Sequence, residues 1–131
     1  MLVFNEIRNI QIAISYVRRF KEVMETIRIL LCCAGGMSSG FLASKMRKAA
    51  KKQGITATVE AVAESNVGQM VKNVDVLMVG PHYANQLPNY QKMCDAANIP
   101  ATVIPQEIYG MLDGDGAVKL AVKAIEDYKN K

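Results

Sequence analysis

The chain has 131 residues, half of them apolar and 21% charged, which suits one soluble globular domain with a single core. A net charge of +4 is modest, and no apolar run approaches the ~20 residues that span a bilayer, so any membrane link would run through a partner. Three cysteines, two of them adjacent and none behind a secretory leader, argue against a disulfide-stapled scaffold and for a reducing, cytoplasmic compartment.

Residues 1–23 stand apart from the rest of the chain. Ile7, Ile10, Ile14 and Val17 share one helical face and Arg18-Arg19 come next, yet METIRILL at Met24 is a natural start for a strand–helix–strand unit. The segment reads as an appendage, flexible or loosely helical, with a helix packing on a partner as the other reading. The domain itself is expected over 24–131.

Ile27 to Cys33, IRILLCC, is a short apolar run stopped by Gly35-Gly36, the pattern of a strand buried in a parallel sheet. From Ser38 the period changes. Leu42, Met46 and Ala49 recur at helical spacing, Gly54 closes the segment, and Ser38 or Ser39 is a natural N-cap. Lys45, Arg47, Lys48, Lys51 and Lys52 fill the other side. They read as a solvated face, with a nucleic-acid stripe as the lesser alternative, because no reader motif accompanies them.

Thr56–Val62 alternates β-branched residues and predicts a second strand, and Ser65–Asn73 a short, weak helix. Asp75–Gly80, DVLMVG, predicts the third strand. Pro81–Ala97 holds a helix starting near Leu87-Pro88, and Ala101–Pro105 predicts the fourth strand. The LDGDG stretch, Leu112 to Gly116, reads as turn. Val118, Ala121, Val122, Ile125 and Tyr128 then form one apolar helical stripe. Strands alternating with helices predict an α/β fold: an open four-stranded parallel sheet flanked by helices, with ligands beyond the carboxyl ends of the strands.

The loop after the first strand occupies that position. A strand ending in cysteine, a run of Gly and Ser, and then a helix N-terminus converge exposed backbone N–H groups and the positive end of a helix dipole on one spot. Such surroundings lower a thiol's pKa and favour a thiolate facing an anion cradle. Because successive strand side chains alternate, Cys33 opens the loop and faces the cradle, whereas Cys32 is expected among helix side chains. Cys94 has no loop around it, and both read as small hydrophobes. The bland alternative is a tight turn with thiols that are only core.

Other phosphate loops fit less well. GxxxxGK[ST] fails because Gly40 is followed by Phe41-Leu42, and no G-x-G-x-x-G occurs. The cysteine-phosphatase pattern of Cys, five residues, then Arg meets Ser39 where the arginine would clamp a phosphoryl group. A loop without that clamp suits carrying a phosphoryl group more than hydrolysing its ester. A low-molecular-weight cysteine phosphatase or arsenate-reductase-like enzyme, and a non-catalytic regulatory module, remain as alternatives. His82, the only histidine, reads as a polar loop residue, with contact to a phosphoryl group as the lesser reading.

ILLCCAGGMSSGFLASKM resembles the active-site segment of the IIB components of the bacterial phosphoenolpyruvate-dependent sugar phosphotransferase system, of the lactose/cellobiose (chitobiose) type. DVLMVGPHYANQLP, IPQEIYGMLDGDG and the closing alanine-rich helix come after it in the same order, so the likeness covers about Ile27 to Lys129. The resemblance implies a fold shared with low-molecular-weight phosphatases and a phosphoryl relay. A phosphohistidine on a IIA protein would pass its group to Cys33, and from there to a sugar hydroxyl presented by a membrane IIC component. Ala34, Gly35, Gly36, Met37, Ser38 and Ser39 would bind the phosphoryl oxygens. The sugar class implied is a β-disaccharide such as cellobiose, chitobiose or lactose. The resemblance calls for no cofactor, no metal and no nucleic acid. Residues 1–23 have no counterpart in the usual short form.

Overall fold

A computed structural model describes residues 26–32 and 37–130. Residues 1–23, expected to be an appendage, lie outside the described residues, as does Cys33. Four strands form one sheet: β1 (Ile27–Cys32), β2 (Ala57–Val62), β3 (Val76–Val79) and β4 (Ala101–Val103). All pair in parallel in the order β2-β1-β3-β4, with Cys32 opposite both Val62 and Val79. The helices are α1 (Met37–Lys52), α2 (Val67–Met70, flanked by 3-10 turns), α3 (Leu87–Ala96), α4 (Gln106–Gly110) and α5 (Gly114–Lys129).

The period-2 alternation of β1 sorts its side chains to two cores. Ile27, Ile29 and Leu31 join Leu42, Ala43 and Met46 of α1 and Ala117, Val118, Ala121 and Ile125 of α5. Leu30 and Cys32 face the opposite way, onto Val67, Val71, Tyr90, Cys94 and Ile99. With both faces covered, β1 and β3 can be nearly continuous apolar runs, as parallel strands usually are. β1 is central and hydrogen-bonded on both sides, which fixes the strand that leads into the glycine-rich loop.

The strands end within one or two residues of their expected bounds, and three larger differences concern the helices. α1 begins at Met37, so Ser38 and Ser39 lie in its first turn and neither is the cap. The second difference is α4: a five-residue helix carries too little repeat to register in a period search.

The third is LDGDG, which is only partly a turn. Leu112 has a positive φ of 51°, but α5 already starts at Gly114. Asp113 caps it, its Oδ1 accepting from the Gly116 N–H at 3.0 Å. Gly114 is buried against α1, where a Cβ would lie 2.4 Å from the Lys45 carbonyl oxygen. That glycine answers to helix–helix approach, not to turn geometry.

At the amino edge of the sheet, the Arg28 N–H and guanidinium both reach the Asp75 carboxylate, at 2.8 and 3.4 Å. Thr26, Pro100, Ile125, Tyr128 and Lys129 line a shallow cleft beside this pair. No helix among the described residues is long and apolar enough to cross a membrane.

Candidate functional site

The carboxyl edge of the sheet is drawn tight by backbone bonds. The Gly80 N–H donates to the Cys32 carbonyl at 3.0 Å, and the Ile104 N–H to the Val79 carbonyl at 2.8 Å. The carboxyl ends of β1, β3 and β4 therefore lie side by side. Of the predicted site residues, Cys33, Ala34, Gly35 and Gly36 lie outside the described residues. Met37, Ser38 and Ser39 form the first turn of α1.

The chemistry of this edge is set by α1. Its first turn carries no acidic residue and its last turn carries Lys51 and Lys52. The first-turn N–H groups have no intrahelical acceptor, and the dipole places partial positive charge at that end. Nothing on the helix competes with an incoming anion there. The lysines at the far end complement the negative pole. Lys45, Arg47, Lys48, Lys51 and Lys52 are all exposed, as a solvated face requires. Arg47 turns its guanidinium back onto the Val59 carbonyl.

Beside the α1 terminus opens a cleft of about 320 Å³, lined by Phe41, His82, Gln106, Tyr109, Gly110 and Leu112. Phe41 is 62% exposed and Met111 80%, unusual for large apolar side chains. His82 is exposed and meets the Tyr109 ring edge-on, with centroids 5.8 Å apart. It thus shares a cleft with the start of α1 and sits on the segment that leaves β3.

The opposite core holds the other two thiols, both buried as expected. The Cys32 S–H donates to the Tyr90 hydroxyl oxygen at 3.8 Å, and Tyr83 packs edge-on against Tyr90 with centroids 6.4 Å apart. Burial, reinforced by Cys32, pushes the Tyr90 hydroxyl well above its ordinary pKa, so it stays a neutral phenol. Burial, with the Asp95 charge second, pushes the Cys94 thiol up to about 12. Cys94 is therefore inert at neutral pH. Sequence reasoning missed Tyr90. It stands 58 positions from Cys32, and no local pattern links the two.

The family model described as "PTS system, Lactose/Cellobiose specific IIB subunit" matches residues 28–120. The chain is similar to the oligo-β-mannoside-specific EIIB component of Bacillus subtilis (strain 168). The two are 34% identical over 95 residues, covering 72% of this chain and 92% of the relative. It is similar to the cellobiose-specific EIIB component of Lactococcus lactis subsp. lactis (strain IL1403) at 35% identity over 98 residues, covering 71% and 91%. Among solved structures, the cellobiose-specific phosphotransferase IIB component of Borrelia burgdorferi superposes with a TM-score of 0.66 at 30% identity, covering 79% of this chain and 94% of that one.

Proposed function

The chain belongs to the lactose/cellobiose-specific IIB subunits of the sugar phosphotransferase system, and on that footing we propose that Cys33 is the residue that carries the phosphoryl group. The Cys33 thiolate attacks the phosphorus of a phosphohistidine on a IIA protein. The S–P bond forms as the P–N bond breaks, and its electron pair returns to the imidazole. A sugar hydroxyl on the membrane IIC component then attacks the same phosphorus. The S–P bond breaks, the thiolate is regenerated, and the hydroxyl proton is lost. Backbone N–H groups from Ala34 to Ser39, with the Ser38 and Ser39 hydroxyls, bind the phosphoryl oxygens. Residues 24–131 make up the IIB unit, with 1–23 appended to it.

The observation that carries this reading is the short passage of residues 33–36 from central β1 to a 16-residue helix whose first turn holds no carboxylate. Ser39, where a phosphatase would place arginine, supports carrying over hydrolysis. Exposed Phe41, early in α1, and exposed Met111 supply apolar surface for IIA and IIC in turn. The sugars named for two of the relatives, oligo-β-mannoside and cellobiose, favour a β-linked oligosaccharide as cargo, while a third relative is named for galactose.

Intact-mass analysis tests the proposal after incubation with phosphoenolpyruvate, the two general phosphotransferase proteins and a cognate IIA. One added phosphoryl group is expected in the wild type and in Cys32→Ser, and none in Cys33→Ser. Absence of the group from wild type while IIA itself is phosphorylated would overturn it.

A further inference from the structure

We propose that the cleft between Phe41, His82, Gln106 and Tyr109 is an acceptor subsite that holds one pyranose ring of the sugar during transfer. The IIB chain then shares in choosing the sugar. The inference rests on the assignment of Cys33 as phosphoryl carrier and deepens it on the acceptor side. Three separate segments build the cleft. Phe41 comes from α1, His82 from the turn Pro81–Gln86 after β3, and Gln106, Tyr109 and Gly110 from α4 after β4. These segments meet beyond the carboxyl ends of the strands, where open parallel sheets bind their ligands.

The lining decides the class of ligand. Among the described residues no lysine, arginine, aspartate or glutamate borders the cleft. The adjoining cleft shares Leu112 but is lined by Lys45, Lys48 and Lys52 with Asp113 and Asp115. An uncharged wall suits a neutral ligand better than an ion, which would lose its hydration with no opposite charge to meet. A pyranose has a face of C–H groups and a rim of hydroxyls. The exposed Phe41 ring offers the apolar platform, and the His82 and Tyr109 rings meet at 74° to make a corner rather than a flat wall. The exposed Gln106 amide both donates and accepts, as a sugar hydroxyl does. A cleft of about 320 Å³ lies at the small end of the ~300–1,000 Å³ span of ligand cavities, which fits one ring of an oligosaccharide. Gly110 leaves it open, since a Cβ there would meet only the Gln106 Nε2, at 3.6 Å.

The test follows phosphoryl transfer from the phosphorylated chain to cellobiose and to lactose, in vesicles carrying the cognate IIC. Phosphoryl uptake from phosphorylated IIA is measured beside it. Gln106→Ala removes the amide, and Gly110→Leu fills the cleft. Each is expected to lower kcat/KM for the preferred sugar more than for the other. The ratio of the two should narrow about three- to ten-fold, the scale of one hydrogen bond, while uptake from IIA proceeds as in wild type. An unchanged ratio in both variants would overturn the subsite, since sugar choice would then lie wholly with IIC. Equal losses in uptake and in transfer would also overturn it, because the cleft would then hold a side chain of IIA. Should Gly110→Leu fail to fold, Gln106→Ala decides, together with an amide NMR titration of unphosphorylated wild type with cellobiose. Shifts are expected at Phe41, His82, Gln106 and Tyr109, and their absence there would count against the subsite. A wild-type chain that takes up no phosphoryl group would instead overturn the carrier assignment, and the titration would still report on the cleft.

Discussion

On the side of the sheet covered by α1 and α5, the fully buried residues are aliphatic or methionine, from Ile27 and Leu31 to Met46 and Ile125. On the side covered by α2 and α3, leucine and valine share the core with Cys32, Tyr90 and Cys94. Both faces exclude water equally well. The difference is that the second contains polar atoms that must find partners and therefore fix directions, where aliphatic packing fixes only volumes. One face packs α1 against the sheet mainly through aliphatic and methionine side chains, with the Arg47 guanidinium reaching the Val59 carbonyl at its rim. The other ties the last residue of β1 by a directed bond.

The largest test of that contrast uses adjacent residues. Leu30 and Leu31 are both essentially inaccessible and point to opposite faces. Leu30→Ala and Leu31→Ala should each cost about 2–5 kcal/mol in denaturant unfolding. Similar losses would mean that the two faces contribute alike to stability despite their different composition. A gap of several kcal/mol would show one face to dominate.

A glycine from each side gives the next test, with opposite signs. In Gly114→Ala the new Cβ meets the Lys45 backbone, so α5 must move off α1 at a cost of about 1–3 kcal/mol. Gly68 of α2 has open space around its would-be Cβ. Gly68→Ala should therefore raise stability by about 0.4–1 kcal/mol in the same assay.

The smallest effect depends on pH. The folded-state pKa of Cys94 is raised by burial to about 12 from an ordinary value of 9.0. The stability this thiol contributes is thus complete below about pH 9 and is lost as pH rises toward 12. Cys94→Ala should cost about 1 kcal/mol at pH 7, the scale of one small buried group. The variant should also lose less stability than wild type between about pH 9 and 11, measured by urea titration. Parallel curves through that range would show that Cys94 does not titrate with unfolding.

Much of the architecture is legible in the sequence because the cores are built on simple periods. The apolar run at Ile27 and the helical stripe at Val118, Ala121 and Ile125 announce their elements directly. Those cues fade where structure depends on distant partners. The short α4 has no repeat to detect. Gly114 looks like turn punctuation until Lys45 is seen against it, and Asp113, a sound N-cap by residue type, is hidden by the glycines around it. The candidate loop shows the same division. Cys33, the glycines and the serines can be picked out by spacing, whereas the Tyr90 contact with Cys32 arises only when α3 folds back over β1.

The amino-edge cleft carries a practical consequence. Thr26, where the described chain enters β1, shares that cleft with Tyr128 and Lys129 near the end of α5. Thr26 and the end of α5 thus sit together at the pole opposite the carboxyl edge of the sheet. A reporter or an affinity handle joined after α5 would extend away from that carboxyl edge, where the candidate site lies. A chain beginning at Thr26 could also be spliced to the end of α5 and reopened elsewhere, giving a permuted protein whose carboxyl edge keeps its local sequence neighbours.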